Sequence, residues 1–538
     1  MASGPVGPRM RVTAAWAPAA GSASIGILLL VSSLLVTSGT AFGMPPPGAS
    51  HAPSLVRSDD WPTYFENDQR TGYNPHIVSP NVANITKLSI AWTRGFSGPF
   101  DGSLIVVNGV VYAGSENGQL YAVRAATGAN LAPSRWTTPF LGNTSQYAQC
   151  GVSGNRGGNH DGLTSTATFA RGSLWEDGGY PAFYHVARNG TILATLDVAN
   201  SSVTPWYYDY EWGSPLIVGD RAYVPTAALC EYDNGQQGHP NLYKYVQGEL
   251  LLVSLASMTI THIFRVVKGA NVTDAGGSIW SSPSFDPVTN TVWVTTGNAN
   301  QSWQSPNNGE YAQSIVALNA SNLRLRGGCQ VVATNSGSAL ADEDFGAGAT
   351  VFNDSKGDRY VGAVNKDGYF YAINATDFSG GANTACNGGA LKLAWTSGYL
   401  GYSGSGDISP AAFDGNRLYL TYGSMGGSAN GFVDALNPAN GHAAWSKPFP
   451  LTIGSTDYYA FGGVSTAAGI VYVDAVNAGG FNGGALFAVY ANNGTLAYSH
   501  AFNETIAGPP VVAEGMVFVA TGWDGGFTGR GYIDALAP

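Results

Sequence analysis

The chain has 538 residues, of which 73 are glycine, 44% are hydrophobic, 12% are aromatic and only 11% are charged. This apolar content excludes wholesale disorder, and 24 Lys and Arg against 35 Asp and Glu, a net charge of −11, leave no basic stripe for nucleic acid. Helix formers are scarce while Gly, Val, Thr, Tyr and Trp are plentiful, so we expect an all-β fold of short strands and tight turns.

The N-terminus has the residue order of a secretory signal. Arg9 and Arg11 precede an apolar run over 25–36, and small residues follow at 39–41. The run is short for a membrane span, which needs about 20 residues. We therefore predict secretion to the outside or the cell surface, with an uncleaved membrane anchor as the alternative. The predicted parts are a signal peptide, 1–43, a linker, 44–58, and a folded domain, 59–538.

Sequons and cysteines also fit an exported chain. Eleven Asn-x-Ser/Thr sequons indicate a glycoprotein surface. Four cysteines allow two disulfides in three connectivities, and none forms a C-x-x-C or C-x-x-C-H motif, so thiolate zinc and covalent haem have no support. The cysteines are Cys150, Cys230, Cys329 and Cys386.

A repeated unit organises the rest of the chain. Residues 103–136 contain an apolar strand, a tight turn, an alternating strand, a second turn, an aromatic-rich strand, a further turn and a strand ending in Trp136. The same order returns seven more times, beginning near residues 162, 213, 281, 348, 409, 463 and 508. Four short strands cannot bury both faces of a sheet alone, so neighbouring units must cover them. We predict an eight-bladed β-propeller of four-stranded antiparallel blades.

The two ends of the chain predict how the ring closes. The last unit stops at its third strand, whereas residues 88–92, LSIAW, resemble an outer strand ending in Trp. An N-terminal strand is therefore expected to complete the final blade. Because this pairing would join the chain ends, removal of residues 86–94 should destabilise the whole ring.

Unusual polar residues are predicted to meet on one face of the disc. In an up-and-down blade, the loop into the first strand and the loop between strands two and three open on the same face. Trp280 and Asn298 occupy these loops in blade four, Asp344 and Lys366 occupy them in blade five, and Glu231 lies in a long loop of blade three. Together they could hold a planar polyanion through a hard cation, since oxygen ligands suit calcium. The alternative is that each caps a turn, packs between blades or is solvated.

These positions resemble the pyrroloquinoline quinone (PQQ) propeller repeat proteins, which include quinoprotein alcohol dehydrogenases and polyvinyl alcohol dehydrogenase-like enzymes. The resemblance begins at DWPTYFENDQRTGYNP and is clearest in IWSSPSFDPVTNTVWVTTGN and DFGAGATVFNDSKGDRYVGAVNKDGYFYAIN. It implies that Trp280 supports the quinone and that Lys366 contacts its oxygens. It further implies that Asp344 is the catalytic base and a metal ligand and that Asn298 binds calcium, with Glu231 or Asp233 as a loosely placed third ligand.

The cysteines are one departure of this chain from the family. Vicinal cysteines that cover the quinone in many members are absent, because Cys150 precedes Gly151 and Cys230 precedes Glu231. In the predicted propeller, Cys150 and Cys230 lie in loops of one face in neighbouring blades and are the expected disulfide pair.

Two functions remain open from the sequence. The first is a secreted dehydrogenase that uses PQQ and calcium to oxidise an alcohol or sugar and passes electrons to a separate carrier. The second is a cofactor-free extracellular propeller that binds a protein or glycan, since a propeller fold does not by itself reveal function.

Overall fold

The computed structural model shows an all-β protein. It describes residues 56–141, 162–178, 182–198, 209–228, 248–266, 276–298, 311–331, 344–378, 391–400, 408–422, 431–478, 482–506, 508–522 and 529–538. The chain divides into two units, Met1–Ala52 and Pro53–Pro538, and the first lies outside the described residues, as do the predicted signal peptide and most of the linker. No helix in these ranges is long and apolar enough to cross a membrane.

Eight antiparallel sheets follow one another along the chain and form the blades of the predicted propeller. A single-turn 3-10 helix, Ile85–Lys87, precedes them. The strands of the first four blades are β2 Ile105–Val107, β3 Val110–Gly114 and β4 Leu120–Arg124; β5 Thr168–Ala170, β6 Ser173–Gly178, β7 Ala182–Ala187 and β8 Ile192–Asp197; β9 Asp209–Tyr210, β10 Leu216–Val218, β11 Arg221–Ala228, β12 Glu249–Ser254 and β13 Thr259–Arg265; β14 Ser284–Asp286, β15 Thr291–Thr295, β16 Ser314–Asn319 and β17 Leu325–Gln330.

The other four blades repeat the pattern. Their strands are β18 Thr350–Asn353, β19 Arg359–Asn365, β20 Tyr369–Asn374 and β21 Leu393–Thr396; β22 Ala412–Phe413, β23 Leu418–Tyr422, β24 Phe432–Leu436 and β25 Ala443–Pro448; β26 Leu451–Ile453, β27 Thr456–Ala467, β28 Ile470–Asn477, β29 Gly484–Tyr490 and β30 Leu496–Phe502; β31 Val511–Ala513, β32 Met516–Thr521 and β33 Gly531–Ala537, with β1 Ser89–Phe96.

The core is divided among the gaps between blades. Eight clusters of buried apolar side chains are present, and each joins two neighbouring blades, including one that joins blade 8 to blade 1. Inner strands such as β15 are buried on both faces, whereas the outer strand β1 alternates between exposed and half-buried residues. Burying an aliphatic or aromatic side chain stabilises by about 1.5–3 kcal/mol, so these clusters hold the ring together.

The predicted closure is confirmed. Strand β1 pairs antiparallel with β33 along its length, from Ser89 opposite Ala537 to Phe96 opposite Gly531. The sheet order is β1-β33-β32-β31, so the N-terminal strand is the outer strand of blade 8. The two ends of the folded part are therefore hydrogen-bonded to each other.

Three blades differ from the predicted four strands. Blade 3 has an additional short strand, β9, that pairs with β11. The fourth strand expected to end at Trp136 is absent among the described residues of blade 1, where only single bridges join Val123 to Asn130 and Gln119 to Phe140. Pro133 lies in this segment and has no N–H to donate to a ladder. Trp136 is nevertheless buried. Blade 7 gains a short strand, β26, that pairs with the extended β27.

Residues 59–74, here named the channel segment, run around the inside of the ring. Backbone hydrogen bonds join this segment to the innermost strand, or the turn after it, in seven of the eight blades. The bonded pairs are Trp61 with Val106, Pro62 with Phe169, Asp68 with Phe285, Gln69 with Val351, Thr71 with Phe413, Gly72 with Thr466 and Asp59 with Glu514. Asp60 also accepts a bond from Asn108, in the turn after the first strand of blade 1, which places this end of the segment on the face opposite the candidate site.

Candidate functional site

Four of the five predicted site residues lie in the described structure, all in loops of blades 4 and 5. Trp280 precedes β14 and Asn298 follows β15, while Asp344 precedes β18 and Lys366 follows β19. These loops open on one face of the disc, here named the site face. Glu231, the fifth predicted residue, lies outside the described residues.

Asp344 is held between a cation and an indole. Its Oδ1 lies 2.6 Å from Nζ of Lys366, and its Oδ2 accepts a hydrogen bond from Nε1 of Trp280 at 3.1 Å. The backbone N–H of Lys366 also donates to the Asp344 carbonyl, at 3.1 Å. The two charged side chains are 4% and 7% exposed, so their attraction is little weakened by water. Both contacts favour the ionised carboxylate.

Lys366 and Trp280 also contact each other. The ammonium lies 4.8 Å from the centre of the indole ring, within cation–π distance. The sequence prediction that Trp280, Asp344 and Lys366 meet on one face is thus matched by contacts between all three pairs. They combine a flat aromatic surface, a carboxylate and a cation in a part of the chain where little water reaches the charges.

Asn298 lies in the neighbouring loop but takes a different partner. Its side-chain oxygen accepts a hydrogen bond from Nε2 of Gln313 at 2.7 Å, and its carbonyl accepts one from Gly277 at 2.6 Å. The carboxamide is thus oriented by the residue that immediately precedes β16 of its own blade.

The described residues do not form a calcium site by themselves. Both oxygens of Asp344 are already engaged by Lys366 and Trp280, and the Asn298 oxygen is engaged by Gln313. No group of three His, Cys, Asp or Glu residues that could hold a metal is found in the described ranges. A hard cation needs six to eight oxygens, so further ligands would have to come from elsewhere in the chain, from water or from a bound ligand.

A second tryptophan belongs to the same group of residues and was not predicted. Trp212 lies before β10, and its ring centre is 5.7 Å from that of Trp280, with the planes inclined by 59°. It is 41% exposed, which is unusual for such a large apolar side chain. The signal was present in the sequence, because Trp212-Gly-Ser-Pro in blade 3 repeats Trp280-Ser-Ser-Pro in blade 4.

A buried pair of acids at the end of β6 was also missed. Glu176 and Asp177 are fully buried. Ser165 donates to Glu176 at 2.7 Å, but neither oxygen of Asp177 has a hydrogen-bond partner in the described structure. Burial raises the pKa of Glu176 to about 8, and burial followed by the neighbouring Glu176 charge raises the pKa of Asp177 well above its ordinary value.

Of the four cysteines, only Cys329 lies in the described part of the chain. It is fully buried on β17 and is not a free thiol. The predicted Cys150–Cys230 pair lies outside the described residues.

Comparison with known proteins gives matches along the whole propeller. A family model described as the β-propeller domain of glucose, ethanol and alcohol dehydrogenases matches residues 61–378. A second model, described as outer membrane protein assembly factor BamB, matches residues 429–532.

Similar proteins include the quinohemoprotein alcohol dehydrogenase of Comamonas testosteroni, which is 24% identical over an alignment of 462 residues. The alignment covers 77% of this chain and 60% of that protein. Its crystal structure aligns with a TM-score of 0.66 at 15% identity, over 90% of this chain and 81% of that one. A europium-containing methanol dehydrogenase aligns with a TM-score of 0.65 at 15% identity, over 90% of this chain and 98% of its own. The chain thus spans less than two thirds of its curated relative, and the structural likeness shows a shared fold.

Proposed function

The chain belongs to the family of glucose, ethanol and alcohol dehydrogenase β-propeller domains, and from that premise we propose that it is a PQQ-dependent dehydrogenase that oxidises an alcohol or a sugar hydroxyl. The observation that carries the proposal is that the buried carboxylate of Asp344 contacts both Lys366 and Trp280. Names of similar proteins support the same reaction class, since two of them are alcohol dehydrogenases.

The residues fit a planar, anionic quinone. Trp280 offers an aromatic plane, and Lys366 offers a positive charge 4.8 Å from the centre of that plane. When bound, PQQ supplies an acceptor for the hydride of the alcohol carbon. Trp280 would support its ring, and Lys366 would contact its oxygens and stabilise negative charge on them.

Asp344 would act as the general base. The carboxylate takes the proton of the substrate hydroxyl, the O–H bond breaks, and the carbon–oxygen double bond forms as hydride leaves the carbon. Lys366 and the indole N–H fix the orientation of the carboxylate, so no reorganisation is needed when the substrate arrives. We propose that the electrons then pass to a separate carrier, which the name of a similar protein, lupanine 17-hydroxylase (cytochrome c), supports.

Calcium is the metal we propose, with Asn298, Asp344 and Glu231 as its ligands. The described residues do not complete such a site, so no step of the reaction is assigned to the metal. We also propose that the protein is secreted and glycosylated, on the N-terminal signal pattern and the sequons.

The experiment is reconstitution of the purified protein with PQQ and calcium. Binding is followed by quinone absorbance, and turnover by reduction of an artificial electron acceptor with a panel of alcohols and sugars. We expect Asp344→Asn to bind PQQ and lose turnover, and Lys366→Gln to bind PQQ at least tenfold more weakly. Matched controls are the exposed Asp220→Asn and Lys392→Gln, which should behave as wild type.

The alternative is a cofactor-free propeller that binds a protein or glycan. The match of residues 429–532 to an assembly-factor model is the observation that favours it. Failure of the wild-type protein to bind PQQ at micromolar concentration, with and without calcium, would reject the dehydrogenase and leave this alternative.

A further inference from the structure

Arg70, in the channel segment, is fully buried but only partly hydrogen-bonded. Its Nε donates to the Pro283 carbonyl at 2.8 Å, and its Nη1 donates to the Tyr64 carbonyl at 2.6 Å and the Thr63 hydroxyl at 3.0 Å. Its Nη2 has no hydrogen-bond partner within the described structure. Buried donors are almost always paired, so this guanidinium N–H₂ calls for a partner that the described residues do not supply.

The charge of Arg70 has no direct counter-ion. Burial lowers the pKa of Arg70 to about 10, which still leaves it protonated at neutral pH. Asp68 attracts it electrostatically, but no carboxylate of the described residues forms an ion pair with it. Burial raises the pKa of the neighbouring Glu66 to about 8, so that side chain is mostly neutral at pH 7. The Tyr64 ring, 5.8 Å from the guanidinium carbon, adds to the attraction by Asp68, but neither group hydrogen-bonds Nη2. A buried charge that is only partly compensated is costly, and an anion at Nη2 would reduce that cost.

A second buried donor without a hydrogen-bond partner follows, in the chain, the residue that Arg70 contacts. Ser284 directly follows Pro283, whose carbonyl accepts the Arg70 Nε bond, and its fully buried hydroxyl has no partner among the described residues. Two nearby threonine hydroxyls already have hydrogen-bond partners. Thr63 and Thr168 are hydrogen-bonded at 2.8 Å, and Thr168 donates to the Pro215 carbonyl at 2.8 Å.

We propose that the channel binds one small inorganic anion, such as chloride, at Nη2 of Arg70 and the hydroxyl of Ser284. The anion neutralises a buried guanidinium and occupies two donors that the chain leaves unused. It would also fasten the channel segment to blade 4, because Arg70 belongs to the segment and Ser284 to β14. The site is separate from Asp344 and Lys366 and does not depend on the proposed dehydrogenase activity.

Bromide is the probe for the test, because it replaces chloride and scatters X-rays anomalously. Crystals of the full chain grown or soaked in sodium bromide should show an anomalous peak at hydrogen-bond distance, about 3.3 Å, from Nη2 of Arg70. An ordered water in that position without anomalous signal, or a carboxylate of the chain folded onto Nη2, would overturn the proposal.

Thermal unfolding tests the proposal in solution. We expect the apparent Tm of the wild type to rise by a few degrees in chloride or bromide relative to sodium isethionate at equal ionic strength, since a ligand of the native state stabilises it. Arg70→Gln should lose this halide effect. If that variant does not fold, Ser284→Ala serves instead and should weaken the halide affinity several-fold.

The matched control is Ser465→Ala in blade 7, another buried hydroxyl without a partner in the described ranges. It should keep the full halide effect. A wild-type Tm that depends on ionic strength but not on the identity of the anion would contradict the proposal, as would an undiminished halide effect in Ser284→Ala.

Discussion

Blades 5 and 2 both bury acidic side chains near the site face, but the partners of these side chains differ. In blade 5, Asp344 has an ammonium at 2.6 Å and an indole N–H at 3.1 Å. In blade 2, Glu176 has one serine hydroxyl and Asp177 has no partner in the described structure. Burial is nearly complete in both places.

The difference shows that the partner, not the burial, decides the charge of a carboxyl group in this ring. The ammonium of Lys366 and the indole N–H of Trp280 stabilise the negative charge of Asp344. This side chain can therefore stay ionised and accept a proton. Glu176 and Asp177 lack a cation, so burial raises the pKa of both, and the value of about 8 for Glu176 leaves that side chain mostly protonated at neutral pH. The first region suits chemistry, whereas the second links stability to pH.

Removal of the Asp344 charge should have the largest effect. We expect Asp344→Asn to lower kcat by about 10²–10⁴, the usual contribution of a general base, while PQQ still binds. Dye reduction in the reconstituted protein measures the change. An equal loss in Glu176→Gln would mean that the two regions do not differ in the way described.

Loss of the cation should be the next largest effect. Lys366→Met leaves Asp344 buried without its counter-ion, which typically costs about 3–5 kcal/mol in the free energy of unfolding. Denaturant unfolding of the apo-protein measures it. The double variant Asp344→Asn/Lys366→Met should recover part of the loss, since the uncompensated charge is gone. No recovery would show that Lys366 acts through packing alone.

The acids of blade 2 should make the protein more stable in acid. Because the folded pKa of Glu176 is raised from 4.5 to about 8, its contribution is fully present below pH 4.5 and is lost as the pH rises through 8. Asp177 acts in the same direction. We expect Tm to fall between pH 5 and 8 in the wild type and to fall less in Glu176→Gln/Asp177→Asn. A steeper fall in the double variant would contradict this sign.

Trp212 should give the smallest effect. It contacts Trp280 from a partly exposed position, so Trp212→Ala removes aromatic surface without creating a buried cavity. We expect PQQ or substrate affinity to fall about tenfold, roughly 1.4 kcal/mol, with Tm nearly unchanged. The exposed Tyr399→Ala in blade 5 is the control.

The fold could be predicted from the sequence because every blade repeats the same strand and turn pattern. The number of blades, their order and the closure by residues 88–92 follow from that repetition and are confirmed. The missing fourth strand of blade 1 was not foreseen, although Pro133 removes a donor there. The channel segment has no strand pattern, and its path depends on contacts with seven different blades.

For the site, the loop geometry of adjacent blades correctly grouped Trp280, Asp344 and Lys366. It did not reveal that the Asn298 oxygen is bonded to Gln313, because side-chain pairing depends on distances that a repeat pattern does not contain. Trp212 was detectable from its W-x-S-P repeat. Glu176 and Asp177 were not, since an acidic pair at a strand end usually indicates a solvated turn, and only the packed structure shows that it is buried.

Infrared spectroscopy tests the central claim most directly, because protonated and ionised carboxyl groups absorb at different frequencies. At neutral pH in deuterated buffer, the apo-protein should show a protonated-carboxyl band that weakens in Glu176→Gln/Asp177→Asn and is unchanged in Asp344→Asn. A band that persists in the first variant and disappears in the second would mean that Asp344 is the neutral acid, and it could not then serve as the base.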